Sequence, residues 1–285
     1  MAEPDTTTVP TVGLVDLHCH ILPGWDDGAP DLEEALEMAR QWVEGGVTTI
    51  AATPHIGHPT VYARREAGEP HPRHIPAAVQ ELQARLDEAA VPLRLLSGGE
   101  LTFGEPDLSE RAPSRPWLTY GGLGKHLLLE STFHSWPRFA NPMLYHLNLA
   151  GITPVIAHPE RLPDVQKDPR LLTTAVRGGA ILQITARALV DEEDKRMARC
   201  ARELVELGLA GIVASDAHRA AGAVLPPQTL EVVTRLTDAE EAQRLIVDNP
   251  RRIAEGHDTL ASLPRDPKPA ARPKLFDFFR KGTSS

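Results

Sequence analysis

Residue types that belong to metal chemistry recur along this chain at wide intervals. Asp16-Leu17-His18-Cys19-His20 is followed by Asp26-Asp27-Gly28, then by Thr53-Pro54-His55, Gly99-Glu100, Glu130, His158-Pro159-Glu160-Arg161 and Ser215-Asp216-Ala217-His218. In an extended segment residues i and i+2 face the same way, so His18 and His20 can address one ion while Cys19 points elsewhere. A single His-x-His is more often a solvated pair, and a lone His55 or Glu100 is more often a satisfied polar residue. Their joint occurrence is the signal. Imidazoles mixed with carboxylates suit Mn²⁺, Fe or Zn²⁺, whereas structural zinc favours thiolates and calcium seldom uses histidine. Carboxylates such as Glu100 can bridge two ions about 3.5–4 Å apart, the separation that clamps both oxygens of an in-line phosphoryl displacement. Phosphoester hydrolysis is therefore the leading chemistry.

Residues so far apart in sequence meet only if the elements bearing them converge. Strand-like apolar runs lie at Leu14 to Leu17, Val47 to Ala52, Leu93 to Leu96, His126 to Leu129, Pro154 to Ala157, Ala180 to Ile184 and Gly211 to Ala214. They read as buried parallel strands, and all but the sixth are followed closely by ligand-type residues. Helical spacing fills the gaps at Asp31 to Glu44, Pro76 to Ala89, Asn141 to Ala150, Asp168 to Arg177, Asp191 to Leu207, Gln228 to Leu236, Asp238 to Val247 and Pro250 to Glu255. This alternation predicts a closed or nearly closed parallel α/β barrel, with a doubly wound open sheet as the alternative. In a barrel the carboxyl ends of the strands converge on one face, which would gather the ligands into a multinuclear metal site.

Composition narrows the function further. The 285 residues carry 30 Lys+Arg against 39 Asp+Glu, a net charge of -9, which disfavours nucleic acid as a partner. Hydrophobic residues make up 41%, enough for a substantial core, and barrels of about 250 residues form one domain. Two cysteines exclude a disulfide framework, and neither starts the C-x5-R loop of cysteine phosphatases, because Trp25 and Glu206 stand where the arginine would be. No run is long enough for a transmembrane helix and the first residues lack signal-peptide character, so the expected compartment is the cytoplasm, with recruitment to the inner membrane face left open. We read 1–12 as a flexible N-terminal segment, 13–260 as the catalytic domain and 261–285 as a Pro-rich, Phe-containing tail. In that tail Leu275, Phe276, Phe278 and Phe279 suggest a sticky segment for a second subunit, a partner or a membrane surface. Gly57 to His74 reads as a loop over the site, offering Arg64, Arg65 and Arg73 to an anion.

The motifs resemble the PHP superfamily. More narrowly, Asp16-x-His18-x-His20 with Ile21-Leu22-Pro23-Gly24-Trp25-Asp26-Asp27-Gly28, Thr53-Pro54-His55, Gly99-Glu100-Leu101, His158-Pro159-Glu160-Arg161, Asp216-Ala217-His218 and Asp248-Asn249-Pro250-Arg251-Arg252 are similar to the bacterial manganese-dependent tyrosine-protein phosphatases of the CpsB/YwqE type. The resemblance spans about Val15 to Ile253. It implies a distorted seven-stranded (β/α)7 barrel of the PHP type with about three Mn²⁺ ions, Fe or Zn being the alternatives, at the carboxyl ends of the strands. The implied ligands are His18, His20, Asp27, His55, Glu100, Glu130, His158, Asp216 and His218. Arg161 would hold the substrate phosphate and act in catalysis. Asp16 is expected to orient His18 from behind, and Asp26 has no implied role. The implied substrate is the phosphorylated tail of a bacterial tyrosine kinase regulating capsule or exopolysaccharide synthesis, and an oligomer is compatible with the reading. The sequence departs from the family where Leu225, and not an arginine, precedes Pro226-Pro227; Arg219 is the candidate replacement for substrate binding. His58, His71 and His74 are assigned to the loop and not to the metal shell. Rival readings are a histidinol-phosphatase-like phosphomonoesterase, a non-catalytic metal-stabilised scaffold, and an amidohydrolase, which would carry Lys where Glu130 stands.

Overall fold

The computed structural model describes residues 13–58, 61, 70–103, 112–131, 135–191, 193–223 and 225–261. The expected N-terminal segment, residues 262–285 of the expected tail with its four apolar residues, and Arg64 and Arg65 lie outside them.

Seven apolar runs become nine strands among the described residues: β1 Leu14–Cys19, β2 Val47–Ala52, β3 His55–Ile56, β4 Arg94–Ser97, β5 Glu100–Thr102, β6 His126–Glu130, β7 Thr153–Ala157, β8 Ile181–Thr185 and β9 Ala210–Ala214. The second and third runs are each followed, after Thr53-Pro54 and Gly98-Gly99, by a further short strand that the sequence reading did not include. Proline has no N–H for a ladder, and glycine lets the backbone turn, so each break is locally encoded. One parallel sheet runs β1-β2-β4 and the other β3-β5-β6-β7-β8-β9. A parallel bridge between Cys19 and Ala217 closes the ring, with His20 N donating to Ala217 O at 2.9 Å and Asp216 N to His18 O at 2.8 Å. The result is a distorted barrel of seven strand positions.

Two buried apolar sets hold it. Val15, Leu17, Ala51, Leu96, Leu128, Val155, Ala157, Ile181 and Ile212 cluster with Tyr120 and Ile253. Every strand position contributes to that set, as expected of side chains filling a barrel interior. The larger set packs helices on the outside. In Leu32–Glu44 the buried residues Ala35, Met38, Ala39 and Trp42 follow helical spacing, the Asp31 side chain caps the first turn, and Gly45-Gly46 ends the helix. The expected helix from Asp168 instead splits into a 3-10 turn, Pro169–Leu172, and a short helix, Thr173–Arg177. The one expected from Asp238 ends at Gln243 and continues as a π turn, Arg244–Asp248, in which buried Arg244 pairs with Glu241 at 2.7 Å. No helix among the described residues is long and apolar enough to cross a membrane.

Candidate metal centre

The carboxyl ends of the strands bring together all nine candidate donors. Their atoms form four overlapping groups, each with its members within 4.8 Å of one another: His20, Asp27, His55 and His218; His18, Glu100 and His158; His18, His20 and Asp216; His55, Glu100 and Glu130. His18 sits on β1, His55 begins β3, Glu100 begins β5 and Glu130 ends β6. His158 directly follows β7, while Asp216 and His218 follow β9. His158 and Asp216 have φ of 33° and 54°, two of the three positive values among described residues other than glycine. Such backbone costs on the order of 1–3 kcal/mol per residue and persists only where its surroundings hold it.

Donor spacing is what a shared cation requires. His18 Nε2 lies 3.3 Å from Glu100 Oε2, 3.3 Å from Asp216 Oδ1 and 3.3 Å from His20 Nε2. His20 Nε2 is 3.5 Å from Glu100 Oε2 and 3.3 Å from Asp216 Oδ1, and His55 Nδ1 is 3.0 Å from Glu100 Oε2. Ligands bound to one ion at about 2.0–2.2 Å stand roughly 3.0–3.5 Å apart. Glu100 Oε2 and Asp216 Oδ1 are buried and have no hydrogen-bond partner among the described residues, although imidazole nitrogens surround both. Orphaned buried carboxylate oxygens are costly without a cation. The donor set therefore fits divalent ions.

Electrostatics follow the same pattern. Burial works to raise the Glu100 carboxyl, but His18 and His158 more than offset it and hold it well below the usual range. Asp216 behaves likewise, with His18 and Arg161 overcoming its burial. Burial opposes charging of His55, yet the Glu100 and Glu130 carboxylates beside its ring raise it to about 10.

The residues behind the donors were only partly legible in sequence. Asp16 does not reach the His18 ring. Its Oδ1 accepts from His18 N at 3.3 Å and Ser215 N at 3.0 Å, and its Oδ2 from Trp42 Nε1 at 2.8 Å. With that carboxylate spent on backbone and indole, the ring is held by Gln183, whose Oε1 lies 2.9 Å from His18 Nδ1. Gln183 was missed. Its signal is a lone polar residue inside the apolar run Ile181-Leu182-Gln183-Ile184, at the strand position that supplies no donor. Asp26, without an implied role, accepts from His20 Nδ1 at 2.7 Å, from Gly28 N at 2.9 Å and from His55 N at 3.0 Å, which fixes the His20 ring and ties it to the backbone of Gly28 and His55. Buried Glu160 accepts from Thr185 N at 2.8 Å and so fastens the turn Pro159–Arg161 to the end of β8.

Arg161 lies at the edge of the centre, its side chain 45% exposed and Nη2 bonded to Asp216 Oδ2. Arg219 uses Nη1 on backbone, donating to Asp27 O at 2.8 Å, His218 O at 2.7 Å and Gly28 O. His58 Nε2 stands 3.7 Å from Glu130 Oε1, at the rim of the groups, while His71 and His74 belong to none of them.

A family model described as capsular polysaccharide synthesis, CpsB/CapC, matches residues 14–255. The chain is 35% identical over 267 residues to tyrosine-protein phosphatase YwqE of Bacillus subtilis (strain 168), covering 93% of this chain and 100% of that protein. To tyrosine-protein phosphatase CpsB of Streptococcus pneumoniae it is 27% identical over 248 residues, covering 84% and 98%. Among solved structures, a chain from the study of YwqE from Bacillus subtilis and CpsB from Streptococcus pneumoniae, described as unique metal-dependent tyrosine phosphatases, superposes with a TM-score of 0.79 at 33% identity, covering 89% of this chain and 99% of that one. Histidinol phosphate phosphatase from Lactococcus lactis, complexed with zinc, histidinol and phosphate, gives a TM-score of 0.50 at 14% identity over 80% and 95%, a likeness of fold alone. The match over almost the whole barrel, together with a relative of 35% identity, means that this chain belongs to the CpsB/CapC family of capsular polysaccharide synthesis.

Proposed function

We propose that this protein is a metal-dependent tyrosine-protein phosphatase that uses about three Mn²⁺ ions to dephosphorylate the tail of a bacterial tyrosine kinase of capsule or exopolysaccharide synthesis, in the cytoplasm at the inner face of the membrane. The observation that carries the reading is the gathering of nine donor residues into overlapping groups with Arg161 bonded at their edge. His18, His20, Asp27, His55, Glu100, Glu130, His158, Asp216 and His218 would hold the ions. When bound, such ions lower the pKa of a water and neutralise charge that develops on phosphoryl oxygens. Arg161 offers a planar, permanently charged fork to the same oxygens and can exchange Asp216 for substrate without leaving the rim. Gln183 and Asp26 hold the His18 and His20 rings in the tautomers that present Nε2 to the groups. A tyrosine phenolate, with a pKa of about 10, leaves with less help from a general acid than an alkoxide does, so metal ions and an arginine can suffice for phosphotyrosine.

The test compares kcat/KM for a phosphotyrosine peptide, the matching phosphoserine peptide and histidinol phosphate, each with Mn²⁺ and after chelation. We expect phosphotyrosine to be preferred, with activity lost on chelation and restored by added metal. A preference for histidinol phosphate would move the protein to small-molecule hydrolysis, and full activity in metal-free protein would end the metal reading.

A further inference from the structure

Beside the metal centre opens a cleft of about 320 Å³, lined on one side by Arg161, Asp216 and His218. Two more guanidinium groups, from Arg187 and Arg219, line the same space. The three arginines come from three elements: the turn after β7, the helix Ala186–Val190 after β8, and the segment after β9. Against them the lining offers one carboxylate, Asp216, which Arg161 already engages. In a chain of net charge -9, this concentration of positive charge runs against the overall field.

The three differ in what holds them. Arg219 is tied through Nη1 to the backbone carbonyls of Asp27 and of its neighbour His218. Arg187 is 50% exposed; its Nε lies 3.1 Å from Asp191 Oδ2 and its Nη2 3.7 Å from Glu193 Oε2. Exposed pairs of this kind contribute little and exchange readily for another anion. The remaining nitrogen, Nη1, faces Gly222, where an added Cβ would stand 3.6 Å away. Gly222 has φ of 76°, so its backbone favours glycine and keeps the space before the guanidinium clear of a side chain. Arg187 also follows the one strand position that brings no donor to the four groups, so it stands on a part of the barrel mouth without candidate ligands among the described residues.

We propose that this cleft is a subsite for a second negative charge on the peptide, an aspartate or glutamate within two residues of the phosphotyrosine, with Arg187 as its principal cation. Consecutive Cα atoms are about 3.8 Å apart, so a flanking side chain reaches a cleft that shares Arg161 with the reacting phosphate. The inference rests on the phosphatase reading above.

Phosphotyrosine peptides of one frame, carrying Asp, Ala or Lys at each flanking position, test it. Wild type should favour Asp over Ala by about fivefold in kcat/KM at one position at least, through KM, as one exposed charge pair allows. In R187Q that ratio should fall to about one, and calorimetric Kd values for the matching non-hydrolysable phosphonate peptides should show the same change. Equal values for Asp, Ala and Lys at every flank would overturn the subsite. So would an R187Q loss of equal size on p-nitrophenyl phosphate and on every peptide, which would put Arg187 on the reacting phosphate. Absence of turnover on any phosphotyrosine substrate with metal present would count against the phosphatase reading, and the calorimetric comparison would still decide the subsite.

Discussion

On the proposed reading each side chain at the centre has one of three roles: it offers a donor atom, it aims a donor, or it meets the substrate. Substitution should separate these roles. Arg161→Ala leaves the donors in place and should keep metal content while losing about 10² to 10³ in turnover, the scale for one partner of transition-state charge. His20→Ala removes a nitrogen shared by two groups, so metal content measured by elemental analysis should fall together with activity. Gln183→Leu touches no ion and frees the His18 ring; about 10- to 100-fold weaker metal binding is expected, with activity recovered at high Mn²⁺. Recovery would distinguish an aiming role from a ligand role. The candidate donors stood out in the sequence because His, Asp and Glu advertise their chemistry, and the strand ends gather them into overlapping groups. Gln183 and Asp26 did not, since an amide or carboxylate oxygen that only accepts a bond from a ring looks like any other polar residue until the ring is in place.

At the scale of elements, the site depends on how the strand ends are bent. The loop after β1 returns so closely that a Cβ at Gly28 would lie 2.0 Å from His20 O and 2.4 Å from His20 Cβ. Gly28→Ala must push the Asp26-Asp27 turn off His20. We expect a stability loss of about 1–3 kcal/mol, read as a lower Tm, together with weaker metal binding. The breaks in the second and third strand positions serve the same end: after Pro54 and Gly99 the chain resumes as β3 and β5, with His55 and Glu100 in register across the ladder. Apolar runs predicted the strands. The breaks appeared only as Pro and Gly punctuation, and nothing local says that the resumed pieces pair with each other in a second sheet.

For the whole molecule, the end of the barrel opposite the site carries a titratable group of its own. His126 begins β6, and neither ring nitrogen has a hydrogen-bond partner among the described residues; burial lowers its pKa to about 4. Unfolded, a histidine titrates near 6.5, so below that pH the unfolded chain binds the proton first and the folded state loses stability as pH falls towards 4. The loss should be about 2 kcal/mol by pH 5. His126→Leu should reduce the difference in unfolding free energy between pH 7 and pH 5 by about that amount, measured in denaturant; an unchanged difference would show that other groups carry it. The sequence by itself determined the kind of chemistry and the barrel class, because ligand types and strand periodicity are local properties that survive without knowing the partners. Tertiary structure alone decided which candidate donors fall within reach of one another, which residues bond to their rings, and where three arginines meet. Those facts depend on a ring closed between Cys19 and Ala217, almost two hundred residues apart, and on strand ends whose relative positions no local pattern encodes.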